Sequence, residues 1–244
     1  MKKTFWRNPT SVVFTVIFPV IFLVIFNTIF GNDRIKELGG ITTSTYYVPA
    51  IVTLAVVSAT LQSLAVNLTV DRENGILKRG RGTPLPSWAF FAGRIGNSIV
   101  VSVLLTVVVT VIGRVFYDVP MPLERLPAVI VTLAVGAAAF CSLGVALTVV
   151  IPSEDAAAPV ANVAVLPLYF LSGVFIPATE IPDGVLHVAD VFPIRHFFEA
   201  FFTAFSPTTT GAGFEWGHLG IVAIWGVAGF LVALRFFRWT PKAP

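Results

Sequence analysis

The run LGGITTSTYYVPAIVTLAVVSATLQSLAVNLTV, residues 38–70, holds 33 consecutive residues without a charged side chain. The stretch that follows it, DRENGILKRGRGTPLP at residues 71–86, is dense in charge. An α-helix needs about 20 residues to cross the hydrocarbon core of a bilayer. The first run is therefore long enough to span a membrane, and the second marks where the chain leaves it.

Five more uncharged runs along the 244 residues are long enough for the same purpose. They are uniformly apolar rather than alternating, which favours helices over the strands of a membrane barrel. We therefore predict an all-α fold, a single transmembrane domain over residues 1–244 with six transmembrane helices. The predicted spans are residues 10–30, 47–70, 88–113, 126–151, 156–176 and 218–237.

The composition excludes several other classes of protein. Hydrophobic residues make up 56% of the chain and charged residues 12%, whereas about 25% of a typical soluble domain is charged. One Cys and three His leave little material for a disulfide framework or a metal centre, so no metal site is expected. The sequence contains no G-x-x-x-x-G-K-[ST] phosphate loop, which argues against ATP hydrolysis by this chain.

The basic residues indicate an orientation. Six spans place both termini and the loop at residues 71–87 on one side, and that side carries 11 of the 16 Lys and Arg residues. Because cytoplasmic loops are enriched in Lys and Arg, we expect this side to face the cytoplasm.

The loop after the second span carries two apolar residues, Ile76 and Leu77, among charged ones. This pattern predicts a short amphipathic helix on the membrane surface, or a contact with a cytoplasmic partner. The alternative is a basic loop that only fixes topology and binds anionic lipid.

Three segments of the chain resemble those of one known family. The run Asp-Arg-Glu-x-Gly-Ile-Leu-x-x-x-x-x-Thr-Pro, starting at Asp71, is similar to the loop after the second span in type 2 ATP-binding-cassette permeases. The runs LSGVFIP (171–177) and PIRHFFEA (193–200) resemble the end of that family's fifth span and its proline-led segment before the last span. One departure is the Gly80-Arg81-Gly82 cluster, where the family often has an apolar residue.

The resemblance implies the permease subunit of a bacterial efflux system that moves a hydrophobic or amphipathic compound, such as a drug, an antibiotic or a lipid, out of the cell. It implies an inner-membrane location, a second permease copy as a homodimer, and a separate ATP-binding-cassette ATPase subunit that binds ATP and Mg²⁺. No cofactor in this chain and no nucleic acid are expected. The residues expected to couple to the ATPase are Arg72, Glu73, Gly75, Ile76, Leu77, Lys78, Thr83 and Pro84.

The resemblance also implies a re-entrant external segment before the sixth span, which would contain Pro193, His196 and Glu199. His196 and Glu199 lie one helical turn apart and could hold a metal, but a third ligand is not apparent. A polar pair at the surface is the favoured interpretation.

Polar residues at membrane depth are candidates for a substrate path, because a polar side chain is energetically unfavourable there and often marks such a path. The candidates are Gln62, Asn67 and Asn162, together with the aromatic Phe170. The alternative is ordinary hydrogen bonding between helices, which is favoured for Asn97 and Asn162.

Two other functions remain open at this point. One is a stand-alone secondary carrier or channel, although no Asp or Glu lies in the middle of a predicted span, as a proton-coupled carrier usually requires. The other is a membrane anchor without transport activity that recruits cytoplasmic proteins through its basic loop.

Overall fold

The computed structural model of the chain describes residues 9–30, 34–35, 38–81 and 87–241. Helix α1 covers Pro9–Phe30. A two-stranded antiparallel ribbon follows, in which β1 (Arg34–Ile35) pairs with β2 (Ile41–Thr42). The ribbon is the only strand pairing in the described residues, which are otherwise helical.

One long helical rod forms the centre of the molecule. Helix α2 (Thr43–Val57) continues through a π-helical turn, Ser58–Gln62, into α3 (Ser63–Glu73). The rod begins where the Thr42 hydroxyl accepts a hydrogen bond from the Thr45 amide, which satisfies one free N–H group of the first turn. Neighbouring segments bury 72% of an 18-residue apolar stretch of the rod, whereas they bury 28% of the corresponding stretch of the C-terminal helix, Trp216–Phe236. The rod is thus the element around which the others pack.

The remaining helices surround this rod. They are α4 (Ile76–Arg81), α5 (Ser87–Tyr117), α6 (Leu126–Leu147), α7 (Glu154–Leu171), α8 (Asp183–Ala189), α9 (Pro193–Phe205) and α10 (Trp216–Phe236). Single 3₁₀ turns at Leu123–Arg125 and Ala178–Glu180 precede α6 and α8.

Four of the described helices are long and apolar enough to cross a membrane, judged by length and composition. They are Thr43–Glu73, Ala89–Tyr117, Leu123–Leu147 and Trp216–Phe236. In the described part of the chain, the first predicted span corresponds to a shorter apolar helical segment, Pro19–Ile29. The fifth corresponds to α7, which has 18 residues and begins with two carboxylates, Glu154 and Asp155. The helical class is thus confirmed, whereas the count of six spans is not established by these criteria.

Small residues bring α6 and α10 into close contact. A Cβ atom on Gly226 would lie 2.9 Å from the Ala139 Cα, and one on Gly229 would lie 3.1 Å from the Leu143 amide nitrogen. Backbones at this separation exclude larger side chains, which is the usual role of Gly in membrane helix packing.

The short helix α9 supplies much of the aromatic core. Its Phe197, Phe198 and Phe201 side chains are fully buried, and the Phe197 ring lies at the position that a Cβ on Gly136 of α6 would occupy. Pro193 occupies the first turn of α9, where its missing N–H group is not needed. The segment between α7 and α10 is therefore packed onto the helical bundle.

Candidate substrate cavity and coupling helix

A cavity of about 480 Å³ lies between α1, the central rod, α5 and α7. Most of its wall is apolar, with Phe22, Leu54, Val101, Leu166 and Phe175 among the contacts. Its polar lining consists of amide and hydroxyl side chains and contains no charged residue among the described ones. These polar residues are Ser58, Gln62, Ser63, Asn97, Ser98, Asn162 and Tyr169. We call this space the amide cavity.

The polar groups of the amide cavity bond to each other across the helices. The Gln62 Nε2 donates a hydrogen bond of 3.1 Å to the Asn162 Oδ1, and this bond joins the rod to α7. The Tyr169 hydroxyl lies 3.3 Å from the Leu54 carbonyl oxygen and 3.3 Å from the Ser58 hydroxyl. A mostly apolar pocket with a few converging polar groups is the usual form of a small-molecule site. This one suits an uncharged or weakly polar amphipathic compound.

The π-helical turn presents these polar residues to the cavity. Ser58 and Gln62 are its first and last residues, and π-turns within α-helices frequently occur at functional sites. A glycine on α6 makes room for the widened turn, since a Cβ on Gly144 would lie 2.7 Å from the Leu61 carbonyl oxygen.

The amide cavity contains part of the predicted substrate path. Gln62 and Asn162 line it, and so does Asn97, for which the sequence favoured a hydrogen-bonding role. Asn67 is exposed, donates to the Ser63 hydroxyl at 3.1 Å and does not line the cavity. Phe170 is 50% exposed and does not line the cavity, although its ring lies 4.9 Å, centroid to centroid, from that of the lining residue Phe175.

Sequence reasoning missed four of the polar residues that line the amide cavity, Ser58, Ser63, Ser98 and Tyr169. A usable signal was present on α7, where Asn162, Leu166 and Tyr169 are spaced i, i+4 and i+7. Residues at this spacing lie on one face of a helix.

The rod ends in a turn and a short helix, α4, at the predicted coupling position. Gly75 has a φ of +67°, which favours glycine. Leu77 is 1% exposed and packs with Leu64 of α3 and Phe90 of α5, whereas Ile76 is 40% exposed. The apolar pair therefore divides into a buried anchor and an outward-facing residue.

The charged residues at the start of the predicted loop belong to the rod itself. Asp71, Arg72 and Glu73 form the last turn of α3, so the helix extends beyond the predicted boundary at residue 70. Gly75 and Lys78 lie on the turn and on α4, and the Lys78 side chain is exposed. Thr83 and Pro84, the remaining predicted coupling residues, lie outside the described residues.

Arg72 is buried within the chain. Its side chain is 1% exposed and pairs with Glu73 at 2.7 Å. Its Nη1 donates to the Thr148 carbonyl at 2.8 Å and its Nη2 to the Ile151 carbonyl at 2.9 Å. The guanidinium thus closes the C-terminal end of α6, where helix carbonyls have no partner within the helix.

Two further polar contacts connect the same end of the rod to its neighbours. Asp71 forms an ion pair with Arg94 of α5, and the Asn74 side chain donates to Glu154 of α7 at 2.9 Å. Because α5 and α7 also line the amide cavity, these contacts connect the end of the rod to two helices of the cavity wall.

Comparison with known proteins identifies the family. Residues 1–205 match the model of the ABC-2 type transporter. The chain belongs to this family of membrane permeases. The chain is 25% identical to the inner membrane transport permease YadH of Escherichia coli (strain K12) over 220 residues, which is 86% of this chain and 80% of that protein.

Two more distant relatives match smaller parts of the permease. The probable multidrug ABC transporter permease YbhR of Escherichia coli (strain K12) is 22% identical over 152 residues, 62% of this chain and 41% of that protein. Nodulation protein J of Rhizobium leguminosarum bv. viciae is 29% identical over 108 residues, 43% of this chain and 40% of that protein.

Membership of the family establishes the general role of the chain. It is a multi-pass membrane protein and the permease subunit of an ABC transporter. ABC-2 permeases work with ABC ATPase subunits and do not hydrolyse ATP themselves, so the chain is not the enzyme of the complex.

The segment between α8 and the start of α10 contains a second polar cluster. The His196 Nδ1 lies 2.7 Å from the His218 Nδ1, and the His196 Nε2 lies 2.7 Å from the Asp190 carbonyl oxygen. Arg195 forms ion pairs with Asp190 at 2.6 Å and Glu199 at 3.7 Å. His218 is the partner that the sequence did not indicate. No group of three or more His, Cys, Asp or Glu side chains suited to a metal occurs in the part of the chain that the structure describes.

Burial shifts the pKa of one carboxyl in this cluster. It raises the pKa of the Glu199 carboxyl above its ordinary value, because a charged form loses hydration when it is enclosed. Arg195 opposes this effect, while Asp190 and Glu215 add to it.

Proposed function

We propose that the chain is the permease subunit of an ATP-driven exporter that moves a hydrophobic or amphipathic compound, such as a drug, an antibiotic or a lipid, out of the cell. A separate ATPase subunit binds ATP and Mg²⁺ and supplies the energy. Two permease copies form the complex, each with six spans and with both termini in the cytoplasm. The bias of basic residues toward one side supports this orientation.

The observation that carries the proposal is the amide cavity. Its aromatic and aliphatic wall favours an apolar cargo, and its Gln62, Asn97 and Asn162 amides offer donors and acceptors without a fixed charge. A pocket of this kind binds through apolar burial, and a few polar groups set the orientation of the ligand. The relative YbhR is named a probable multidrug permease, which is consistent with such a cargo.

The proposed mechanism uses the connection between the cavity and α4. The ATPase subunit contacts α4 at Ile76 and the exposed Lys78, and Leu77 transmits its movement to the rod. Since the Gln62–Asn162 hydrogen bond joins the rod to α7, tilting the rod opens or closes the cavity.

The test uses the permease purified in complex with its ABC ATPase and reconstituted in vesicles. ATP hydrolysis is measured across a panel of uncharged amphipathic compounds and of sugars, and transport is followed with and without ATP. We expect stimulation by the amphipathic compounds and ATP-dependent export. Replacing one hydrogen-bonding amide, Gln62→Leu, should raise the half-maximal concentration about threefold to tenfold, because one hydrogen bond contributes about 0.5–1.5 kcal/mol.

The matched control is Asn67→Leu, the same change at a nearby position outside the cavity. It should keep the wild-type response. If Asn67→Leu impairs the response and Gln62→Leu does not, the cavity is not the cargo site. Transport that needs no ATPase subunit would overturn the proposed energy source.

A further inference from the structure

A second pocket, of about 210 Å³, opens between α5, α6 and α10. It shares no lining residue with the amide cavity. Its wall is almost entirely apolar and includes Phe91, Ile95, Val145, Leu234 and Trp239. We call this space the α10 pocket. It lies at the end of the bundle that carries α4, because its wall packs against the cluster that contains Leu77.

Three aromatic rings hold the mouth of the α10 pocket in place. Phe91, Phe237 and Trp239 meet edge to face, with centroid distances of 5.2, 5.3 and 5.5 Å. Edge-to-face packing is a favourable arrangement for aromatic rings, so the pocket is already formed in the folded chain. Trp is also enriched where membrane meets water, and Trp239 follows the end of a candidate span at Phe236.

Two arginines flank this mouth in sequence. Arg235 is next to Leu234, and Arg238 lies between Phe237 and Trp239. Both are exposed, and neither has an ion-pair or hydrogen-bond partner among the residues that the structure describes. An apolar slot whose lining residues Leu234, Phe237 and Trp239 are neighbours in sequence of two exposed arginines complements a molecule with an acyl chain and an anionic head.

We propose that the α10 pocket binds one anionic phospholipid. An acyl chain lies against Phe91, Val145 and Leu234, and the phosphate accepts charge-assisted hydrogen bonds from Arg235 and Arg238. The apolar wall selects a lipid over a free phosphate. Because Phe91, Phe237 and Trp239 pack on the Leu77 cluster, the bound lipid supports the position of α4.

The experiment is native mass spectrometry of the full permease, released from nanodiscs that contain equal amounts of phosphatidylglycerol and phosphatidylcholine with identical acyl chains. We expect preferential retention of one phosphatidylglycerol. Each surface cation favours an anionic lipid by about fivefold in affinity, so the Arg235→Gln, Arg238→Gln double variant should reduce the preference roughly 25-fold. Inorganic phosphate should not displace the lipid.

Two variants separate the pocket from charge alone. Ser142→Phe fills the α10 pocket, since Ser142 lines it, and should abolish retention while both arginines remain. Arg114→Gln removes an exposed cation in the last turn of α5, away from the pocket, and should leave retention unchanged.

Equal retention of the two lipids by the wild-type chain would overturn the proposal. So would retention that survives Ser142→Phe, because the lipid would then be held by charge outside the pocket. A Ser142→Phe variant that changes the oligomeric mass without changing the lipid ratio would assign the groove to a second copy of the chain and would also overturn it.

Discussion

Arg72 offers the sharpest test of how this bundle is held together. Its guanidinium is 1% exposed, bridges the Thr148 and Ile151 carbonyls, and pairs with Glu73. Arg72→Met keeps the length and much of the volume of the side chain but removes every donor. The change deletes two hydrogen bonds from a charged group to buried carbonyls and leaves the Glu73 carboxylate without this counter-charge.

The expected cost follows from these contacts. Hydrogen bonds to charged groups contribute about 1.5–3 kcal/mol each, and breaking a buried ion pair from one side costs about 3–5 kcal/mol. The Glu73 side chain is 10% exposed, so water can reach it and the lower end of the range applies. We therefore expect a loss of about 3 kcal/mol in the free energy of unfolding. For a chain of this size that lowers Tm by roughly 6–12 °C.

The assay is thermal unfolding in detergent, followed by the fluorescence of the five Trp residues. The control Arg114→Met makes the same chemical change at an exposed position of α5 and should move Tm by no more than about 1–2 °C. An Arg72→Met variant that unfolds at the temperature of the Arg114→Met control would refute the reasoning.

Three more predictions address helix packing, the contact with the ATPase subunit, and the polar cluster that contains Glu199. Gly144→Ala should lower stability by about 1–3 kcal/mol through overpacking, since its Cβ would meet the backbone of the π-turn at 2.7 Å, whereas Gly220→Ala, with nothing within 4 Å, should not; thermal unfolding of the two variants distinguishes them. Ile76→Asp should weaken co-purification with the ATPase subunit at nearly unchanged Tm, while Leu77→Asp, at a buried position, should lower Tm as well; equal effects of both changes would refute the assigned roles. Burial raises the pKa of Glu199 above its ordinary value of 4.5, so the ionised carboxylate is unfavourable in the folded state. The difference in Tm between Glu199→Gln and wild type should therefore be near zero below pH 4.5 and should grow in favour of the variant as the pH rises through the folded pKa. A difference that does not change with pH would contradict this.

The sequence predicted the helical class because uncharged runs long enough to span a bilayer are visible in one dimension. A short helix after the rod was one of the interpretations that the loop allowed, and the structure describes a helix there, Ile76–Arg81. The prediction from sequence misplaced the end of the rod, because the first charged residue was taken as the end of the helix. Asp71 and Arg72 remain helical since Arg94, Glu73 and two carbonyls compensate their charges. Apart from Glu73, which follows Arg72 directly, those partners come from distant positions that no local pattern reveals.

The amide cavity was only partly predictable for a similar reason. Gln62 and Asn162 are each recognisable as polar residues within apolar runs, but they are 100 positions apart, and nothing local indicates that they bond. The π-turn that presents Ser58 and Gln62 depends on the space that Gly144 leaves because it has no side chain. Tertiary packing, rather than local propensity, therefore decides which of the membrane-depth polar residues share a site.

The continuity of the rod has a consequence for how force reaches the cavity. Gln62 and Arg72 lie ten residues apart on one helical segment, a separation of about 15 Å at a rise of 1.5 Å per residue. A flexible loop starting at residue 71 would absorb a displacement of α4. A helix that continues to Glu73 and is pinned through Arg72 to the C-terminal end of α6 and to the loop before α7 moves with them instead. The buried arginine that stabilises the bundle is thus also placed to make α4 and the cavity wall move together. We therefore expect Arg72→Met to lose cargo-stimulated ATP hydrolysis as well as stability.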